Sequence, residues 1–258
     1  MMDDETIAQR GAGTPRPVLR RIGPDDDRQM REWLIEKILP LERAYLAHEE
    51  PWRQSGFSGT REGWDACRRP VAECLHRGGA FLDIGCANGY LLESVIGWKR
   101  AEGMAIEPFG LEAGHKLADR ARRRLPQFAD NIRSGNAWDW APPRRYDFVR
   151  TELAYVPPVL RKRYLGRLID EFLAPGGSLL VAEYRSRNQP YRVPWCDVAL
   201  RRWGFVVTLV RSGLWEGREL TRVAVVEKGD GGIAIAAESA NHFSEGASRK
   251  TILPISSP

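Results

Sequence analysis

The segment Phe81-Leu82-Asp83-Ile84-Gly85-Cys86-Ala87-Asn88-Gly89-Tyr90 constrains this chain more than any other. A short apolar run leads into a turn carrying two glycines and an alanine, and apolar residues resume at helical spacing at Leu91, Leu92 and Val95. That pattern reads as a strand, a tight turn and a helix. Gly85 and Gly89 allow backbone conformations and close approaches that a side chain obstructs, and Ala87 keeps the middle of the turn narrow. A ligand can therefore lie against bare backbone at this point.

From residue 80 onward, strand-like and helix-like apolar runs alternate, which is the mark of stacked βαβ units around a mainly parallel sheet. Seven strands are predicted, over 80–84, 100–106, 131–135, 146–151, 177–184, 205–212 and 219–227, with helices over 89–98, 109–125, 157–173 and 193–203. Pro175-Gly176-Gly177 marks a sharp turn into the fifth strand. The six residues from Gly213 to Arg218 are too few for a helical crossover, so the last two strands should form an antiparallel hairpin. The expected fold is α/β and Rossmann-like, with a seven-stranded sheet, its last strand antiparallel and helices on both faces.

Ahead of that domain, taken as 80–228, residues 1–27 read as a disordered leader and 28–79 as a helical extension. Met30, Trp33, Leu34, Ile38, Leu41, Tyr45 and Leu46 recur at helical intervals, with a kink expected at Pro40. A second helix spans about 60–77, and Pro70 suggests a kink or a fresh start within it. The Gly-containing aromatic loop at Trp52, Ser55, Gly56 and Phe57 is the expected lid. Residues 229–258 lose all periodicity and read as a flexible tail.

Composition narrows the classes. Hydrophobic residues at 43% and charged residues at 28% are ordinary for a packed globular chain. No 18-residue apolar run or signal-peptide anatomy occurs, so the expectation is a soluble, cytoplasmic protein with no membrane partner. Cys67, Cys74, Cys86 and Cys196 form no CxxC pair and no ligand spacing with histidine, which predicts no metal site and predicts that Cys67 and Cys74 pack in a core. His48, His76, His115 and His242 fall outside the predicted strand ends and are read as non-catalytic. A net charge of +5 invites nucleic-acid binding, but only six of the 39 basic residues are lysine, an arginine bias that codon usage alone produces. The clusters at 120–124 and 161–163 lie on helices with apolar opposite faces, so a nucleic-acid partner is possible and not favoured.

Two further strand ends give the glycine turn its meaning. Eighteen residues after Gly89, Glu107-Pro108 follows the second predicted strand, where such folds hold ribose hydroxyls on a carboxylate, with Pro108 expected to stop the strand. The third strand ends in Gly135-Asn136-Ala137-Trp138, which offers an amide able to donate and accept and an indole able to stack on or cover an adenine. Together, Asp83-x-Gly85-x-Ala87-x-Gly89, Glu107 and Gly135-Asn136-Ala137 resemble motifs I, II and III of the class I S-adenosylmethionine-dependent methyltransferases. The resemblance covers roughly 80–228. Leu173-Ala-Pro-Gly-Gly-Ser-Leu-Leu-Val181 is similar to the family's entry into its fifth strand. Many members have an acidic residue where this chain has Asn136.

The resemblance implies S-adenosylmethionine as cofactor, with Gly85, Cys86, Ala87 and Gly89 beneath its methionine and ribose. It implies Asp83 at the amino-acid end, Glu107 and Pro108 at the ribose, and Asn136, Ala137 and Trp138 at the adenine. The rival ligand, NAD, is bound by a Gly-x-Gly-x-x-Gly turn of different spacing, and Asp83 suits a cationic ligand better than a phosphate diester. Methyl transfer is an in-line displacement that chiefly needs positioning and exclusion of water. The mouth of the fourth strand offers Glu152 and Tyr155 as candidate catalytic groups. Arg185 and Arg187, after the fifth strand, could favour an anionic acceptor, although solvated surface arginines are the plainer reading. The Asp/Asn-Pro-Pro-aromatic motif of enzymes that methylate nucleic-acid amino groups is not matched by Val156-Pro157-Pro158. The expected activity is methyl transfer to a small-molecule acceptor. The alternatives are an RNA or protein methyltransferase and a non-catalytic S-adenosylmethionine-binding protein.

Overall fold

The computed structural model describes residues 23–188, 193–229 and 232–233, so nearly all of the expected leader and tail lies outside the described residues. Helix α1 (Pro24–Trp33) opens the described chain, starting within the segment read as leader. One π-helical turn, Leu34–Ile38, separates it from α2 (Leu39–Leu46). Pro40 lacks the N–H that would continue the ladder, so the helical bonding resets immediately before it. Helix α3 (Arg61–Glu73) runs through Pro70 as one helix, with Thr60 accepting from the Gly63 amide at its start.

The sheet domain follows in chain order: β1 (Gly79–Ile84), α4 (Tyr90–Ala101), β2 (Ile106–Glu112), α5 (His115–Arg124), β3 (Ile132–Ser134), β4 (Tyr146–Glu152), α6 (Arg161–Arg167), β5 (Leu173–Tyr184), α7 (Cys196–Arg202), β6 (Val207–Trp215) and β7 (Arg218–Gly229). A two-residue β8 (Gly232–Ile233) pairs with β7. The strand order is β3-β2-β1-β4-β5-β7-β6, with β7 antiparallel to both its neighbours. The expected hairpin forms through Glu216 and Gly217, both at positive φ as its twist requires. Strand β5 pairs from Leu173, bulges through Pro175-Gly176-Gly177 and resumes at Ser178, so the proline-glycine segment interrupts the strand instead of preceding it.

Both sheet faces are buried, and alternation along each strand divides the core. Leu82, Val149, Leu179 and Val181 meet Tyr164, Leu168 and Phe172 on one face. Phe81, Phe148, Leu180 and Ala182 meet Trp64, Leu75, Leu92 and Val95 on the other. All four cysteines are buried, Cys67 and Cys74 among them. The order reverses between β1 and β4, and a crevice opens there beyond the carboxyl ends of the strands. No described helix is long and apolar enough to cross a membrane.

Candidate functional site

The glycine turn is shaped by its backbone. Gly85 has φ +73 and a Cβ there would lie 2.4 Å from the Tyr155 ring, so glycine is needed for both reasons. Ala87, at φ 48, is left-handed without being glycine, and its amide donates to Glu112 Oε2 at 2.8 Å. Gly89, at φ +77, packs against Ala121 beneath the turn and does not reach the cavity. Asn88 fastens the turn to the preceding loop by donating to the Pro51 carbonyl and to Gln54 Oε1.

A cavity of about 400 Å³ lies over this turn, within the range of cofactor sites. Asp83, Gly85, Cys86 and Ala87 line it from β1, Asn136, Ala137 and Trp138 from the end of β3, and Glu152 and Tyr155 from the end of β4. The first, third and fourth strand tips thus line one space, whereas Glu107, expected there from the second, does not.

The second tip carries a different residue from the expected one. Glu107 pairs across from Ala80, at the amino end of the parallel sheet, is exposed, and forms an ion pair with Arg144 at 3.2 Å. Pro108 does not stop the strand. It lies within β2 before β3 joins at Gly110, on a stretch with no ladder partner on that side, so its missing N–H costs nothing. The strand continues to Glu112, which is 8% exposed and lines the cavity. Its two carboxylate oxygens accept from the amides of Ala87 and Gly114, each at 2.8 Å. Burial pushes the Glu112 carboxyl up to about 7, although both amides pull it down. The signal for it was present: Phe109 and Leu111 continue the apolar run past the proline, and Glu112 opens directly onto the α5 turn.

At the third tip, Asn136 Oδ1 accepts from the Trp138 amide at 2.9 Å, which fixes the loop as a side-chain-closed turn. Arg167 holds the same loop from below by donating to the carbonyls of Ala137, Trp138 and Trp140. The Trp138 indole N–H donates to Asp27 at 2.8 Å, which ties the loop to α1.

Sequence reading missed Arg150, which organises the fourth tip. Its side chain is 3% exposed and donates to Asp83 Oδ1 at 3.1 Å, to the Tyr155 hydroxyl at 3.0 Å and to Glu152 Oε1. Tyr155 also donates to Glu152 Oε1, at 2.9 Å. Burial pushes Asp83 up to about 6 even with Arg150 beside it. Burial also raises Tyr155 well above an ordinary phenol, so it stays protonated. Asp83 is therefore a buried, ion-paired floor of the cavity.

The cavity is roofed by the N-terminal helices. Met30, Trp33, Leu34, Ile38, Leu41 and Tyr45 form the apolar stripe read from the sequence, and that stripe faces the cavity. Four attachments hold the roof: Asp26 to Arg163, Asp27 to Trp138, the Trp33 indole to the Ala154 carbonyl, and Glu42 to the Lys116 and Leu117 amides at the start of α5. The loop expected to be the lid contributes Ser55 alone, and Trp52, Gly56 and Phe57 do not reach the cavity. Within the arginine clusters, Arg122 and Arg124 donate to the Ile132 and Asn88 carbonyls and Arg161 to that of Leu153, while Arg120 and Arg123 are exposed. Arg185 and Arg187 pair with Glu183 and Glu216.

No family model matches the sequence. Solved structures share the fold. The chain is similar to the Burkholderia thailandensis 1,6-didemethyltoxoflavin-N1-methyltransferase solved with its substrate and S-adenosylhomocysteine, at 15% identity and a TM-score of 0.52, over 87% of this chain and 98% of that one. It is similar to the magnesium protoporphyrin IX methyltransferase of Synechocystis solved with S-adenosylmethionine, at 15% identity and a TM-score of 0.50, over 81% of this chain and 99% of that one. The cyclase SpnF matches at 16% identity and a TM-score of 0.50, over 78% and 95% of the two chains. The fold is that of the class I S-adenosylmethionine-dependent methyltransferases.

Proposed function

We propose, from that fold as premise, that this chain transfers a methyl group from S-adenosylmethionine to a small-molecule acceptor. Because the same fold also carries a cyclase, the fold alone does not give the activity, and the site carries the rest of the reading. The observation that carries it is the convergence of Ala87, Glu112 and Asn136 with Trp138 on one roofed cavity. Gly85, Cys86 and Ala87 would pass beneath the ribose and methionine, Glu112 would accept from the two ribose hydroxyls, and Asn136, Ala137 and Trp138 would meet the adenine. Asp83, held by Arg150, would face the ammonium end.

The roof supports a small acceptor, because two helices laid across the cavity narrow the approach to it for a polymer chain. Two structural neighbours, named for 1,6-didemethyltoxoflavin and magnesium protoporphyrin IX, favour the same class. The protein's task in an in-line displacement is to hold the acceptor lone pair behind the methyl carbon. Glu152 would take part through Oε2, since Oε1 is occupied by Arg150 and Tyr155. There it could receive the proton that an acceptor hydroxyl or ammonium must lose. Tyr155, protonated and over Gly85, would position Glu152 and close the floor.

Incubation of the protein with S-adenosylmethionine labelled in its methyl group, together with separate metabolite, RNA and protein fractions of a cell extract, tests this. Label is expected in the metabolite fraction. Label confined to RNA or protein would overturn the acceptor class, and bound cofactor with no transfer to any fraction would favour a binding protein.

A further inference from the structure

Arg68, in the middle of α3, is 7% exposed and lines the cavity, yet it makes no hydrogen bond or ion pair among the described residues. A buried guanidinium with none of its donors bonded is costly. Asp83 feels its charge, but Asp83 and Glu152 accept their hydrogen bonds from Arg150 and Tyr155 and none from Arg68. Aromatic rings hold the group in place. Its Cζ is 3.5 Å from the Tyr184 ring centroid, 5.7 Å from that of Phe57 and 6.0 Å from that of Trp64. Stacked in this way, the guanidinium keeps its donors available in a fixed plane.

Its place in the fold is away from the ribose and adenine positions and next to the floor. Tyr184 ends β5, two strands from β1 in the order β1-β4-β5, and its ring also lies 5.3 Å from the Arg150 guanidinium. The ribose and adenine positions lie on the other side, at β2 and β3. Tyr45, from the roof, also lines the cavity, and its hydroxyl makes no hydrogen bond among the described residues. Burial, then Glu152 and Glu112, push it up to about 12, which keeps it a donor.

We propose that Arg68, with the Tyr45 hydroxyl, forms the recognition site for an acidic acceptor, a molecule carrying one carboxylate or equivalent single negative charge on an apolar or aromatic body. This deepens the methyltransferase reading and rests on it. One planar guanidinium and one hydroxyl match the oxygens of a carboxylate. The carboxylates of Glu152 and Asp83 nearby disfavour a doubly charged phosphate, and Trp33, Ile38, Leu41 and Trp64 supply apolar lining. Arg68 is thus assigned to specificity, leaving chemistry to the floor at Glu152.

The test uses protein saturated with S-adenosylhomocysteine and titrated with benzoate, with its neutral counterpart benzamide and with inorganic phosphate. Benzoate is expected to bind saturably, benzamide at least about tenfold more weakly, and phosphate not measurably. Arg68→Gln should lose about tenfold or more in benzoate affinity, with Arg68→Lys between, because it keeps the charge and loses the planar fork. S-adenosylhomocysteine affinity should stay the same in both variants, which also reports that they are folded. Four results would overturn the proposal: no benzoate binding, equal affinity for benzoate and benzamide, phosphate binding as tightly as benzoate, or Arg68→Gln weakening S-adenosylhomocysteine as much as benzoate. Failure of the wild-type protein to bind S-adenosylhomocysteine would instead strike the methyltransferase reading beneath it.

Discussion

Glu112→Ala is expected to lower S-adenosylhomocysteine affinity by two orders of magnitude or more, while Glu107→Ala leaves it unchanged. Each hydrogen bond from a ribose hydroxyl to a charged acceptor is worth about 1.5–3 kcal/mol, and two lost together correspond to roughly a hundredfold or beyond. Glu107 has no such role to lose. It is exposed at the far end of β2, and its ion pair with Arg144 is of the surface kind that contributes little. Glu112→Ala also leaves the Ala87 and Gly114 amides without their acceptor, so Glu112→Gln, which keeps a carbonyl oxygen for one of them, separates lost binding from a disturbed turn. The same calorimetric titration across pH carries a second signature. Burial holds the Glu112 carboxyl at about 7, and its protonated form surrenders an acceptor. Affinity should therefore rise as pH increases through about 7 and level off above it, and the Glu112→Gln variant should lack that step. Equal affinities for wild type and Glu112→Ala would remove the ribose assignment.

Arg150→Met should destabilise the fold by about 3–5 kcal/mol, because removing one partner from a buried ionic cluster leaves the other charges uncompensated. Asp83, 1% exposed, and Glu152 both lose their counter-charge, and Tyr155 loses a donor. The loss should depend on pH in a definite direction. Asp83 already sits at about 6 against an ordinary 3.8, so its folded form holds a proton that the unfolded chain releases. Its contribution to stability therefore falls as pH rises through that interval. Without Arg150 its carboxyl moves higher still, so the variant should be least stable at alkaline pH and recover partly below about 5. Urea denaturation of wild type, Arg150→Met and Arg150→Met with Asp83→Asn at two pH values measures this. The double variant should regain part of the loss, and an Arg150→Met protein as stable as wild type at every pH would show that the cluster is not the floor described here.

How far the site could be read from sequence follows from where each signal resides. Strands β1 and β4 were legible because uninterrupted apolar runs end in turn residues that belong to the same run. The expected second strand lies too early in the chain because a proline reads as a strand end, whereas proline is tolerated where one side of the strand has no partner; Pro108 meets that condition because β3 pairs only from Gly110. The roof was half legible: the stripe from Met30 to Tyr45 declares a helix with an apolar face, but its target depends on Asp26, Asp27 and Glu42 meeting groups more than seventy residues away. Arg150 was hidden for the same reason, since an arginine inside an apolar strand is explained only by Asp83, 67 positions earlier. Arg68 read as one arginine among many until its lack of a partner could be seen in three dimensions.

On the proposed function, the cavity between the strand tips and the N-terminal roof holds an adenosyl sulfonium with its ribose on Glu112. A crystal structure of the protein with S-adenosylhomocysteine is the decisive test. Both ribose hydroxyls are expected on the Glu112 carboxylate, the adenine between Asn136 and Trp138, and the homocysteine end above Gly85 toward Asp83. A ligand seated elsewhere, or ribose hydroxyls bound away from Glu112, would contradict it.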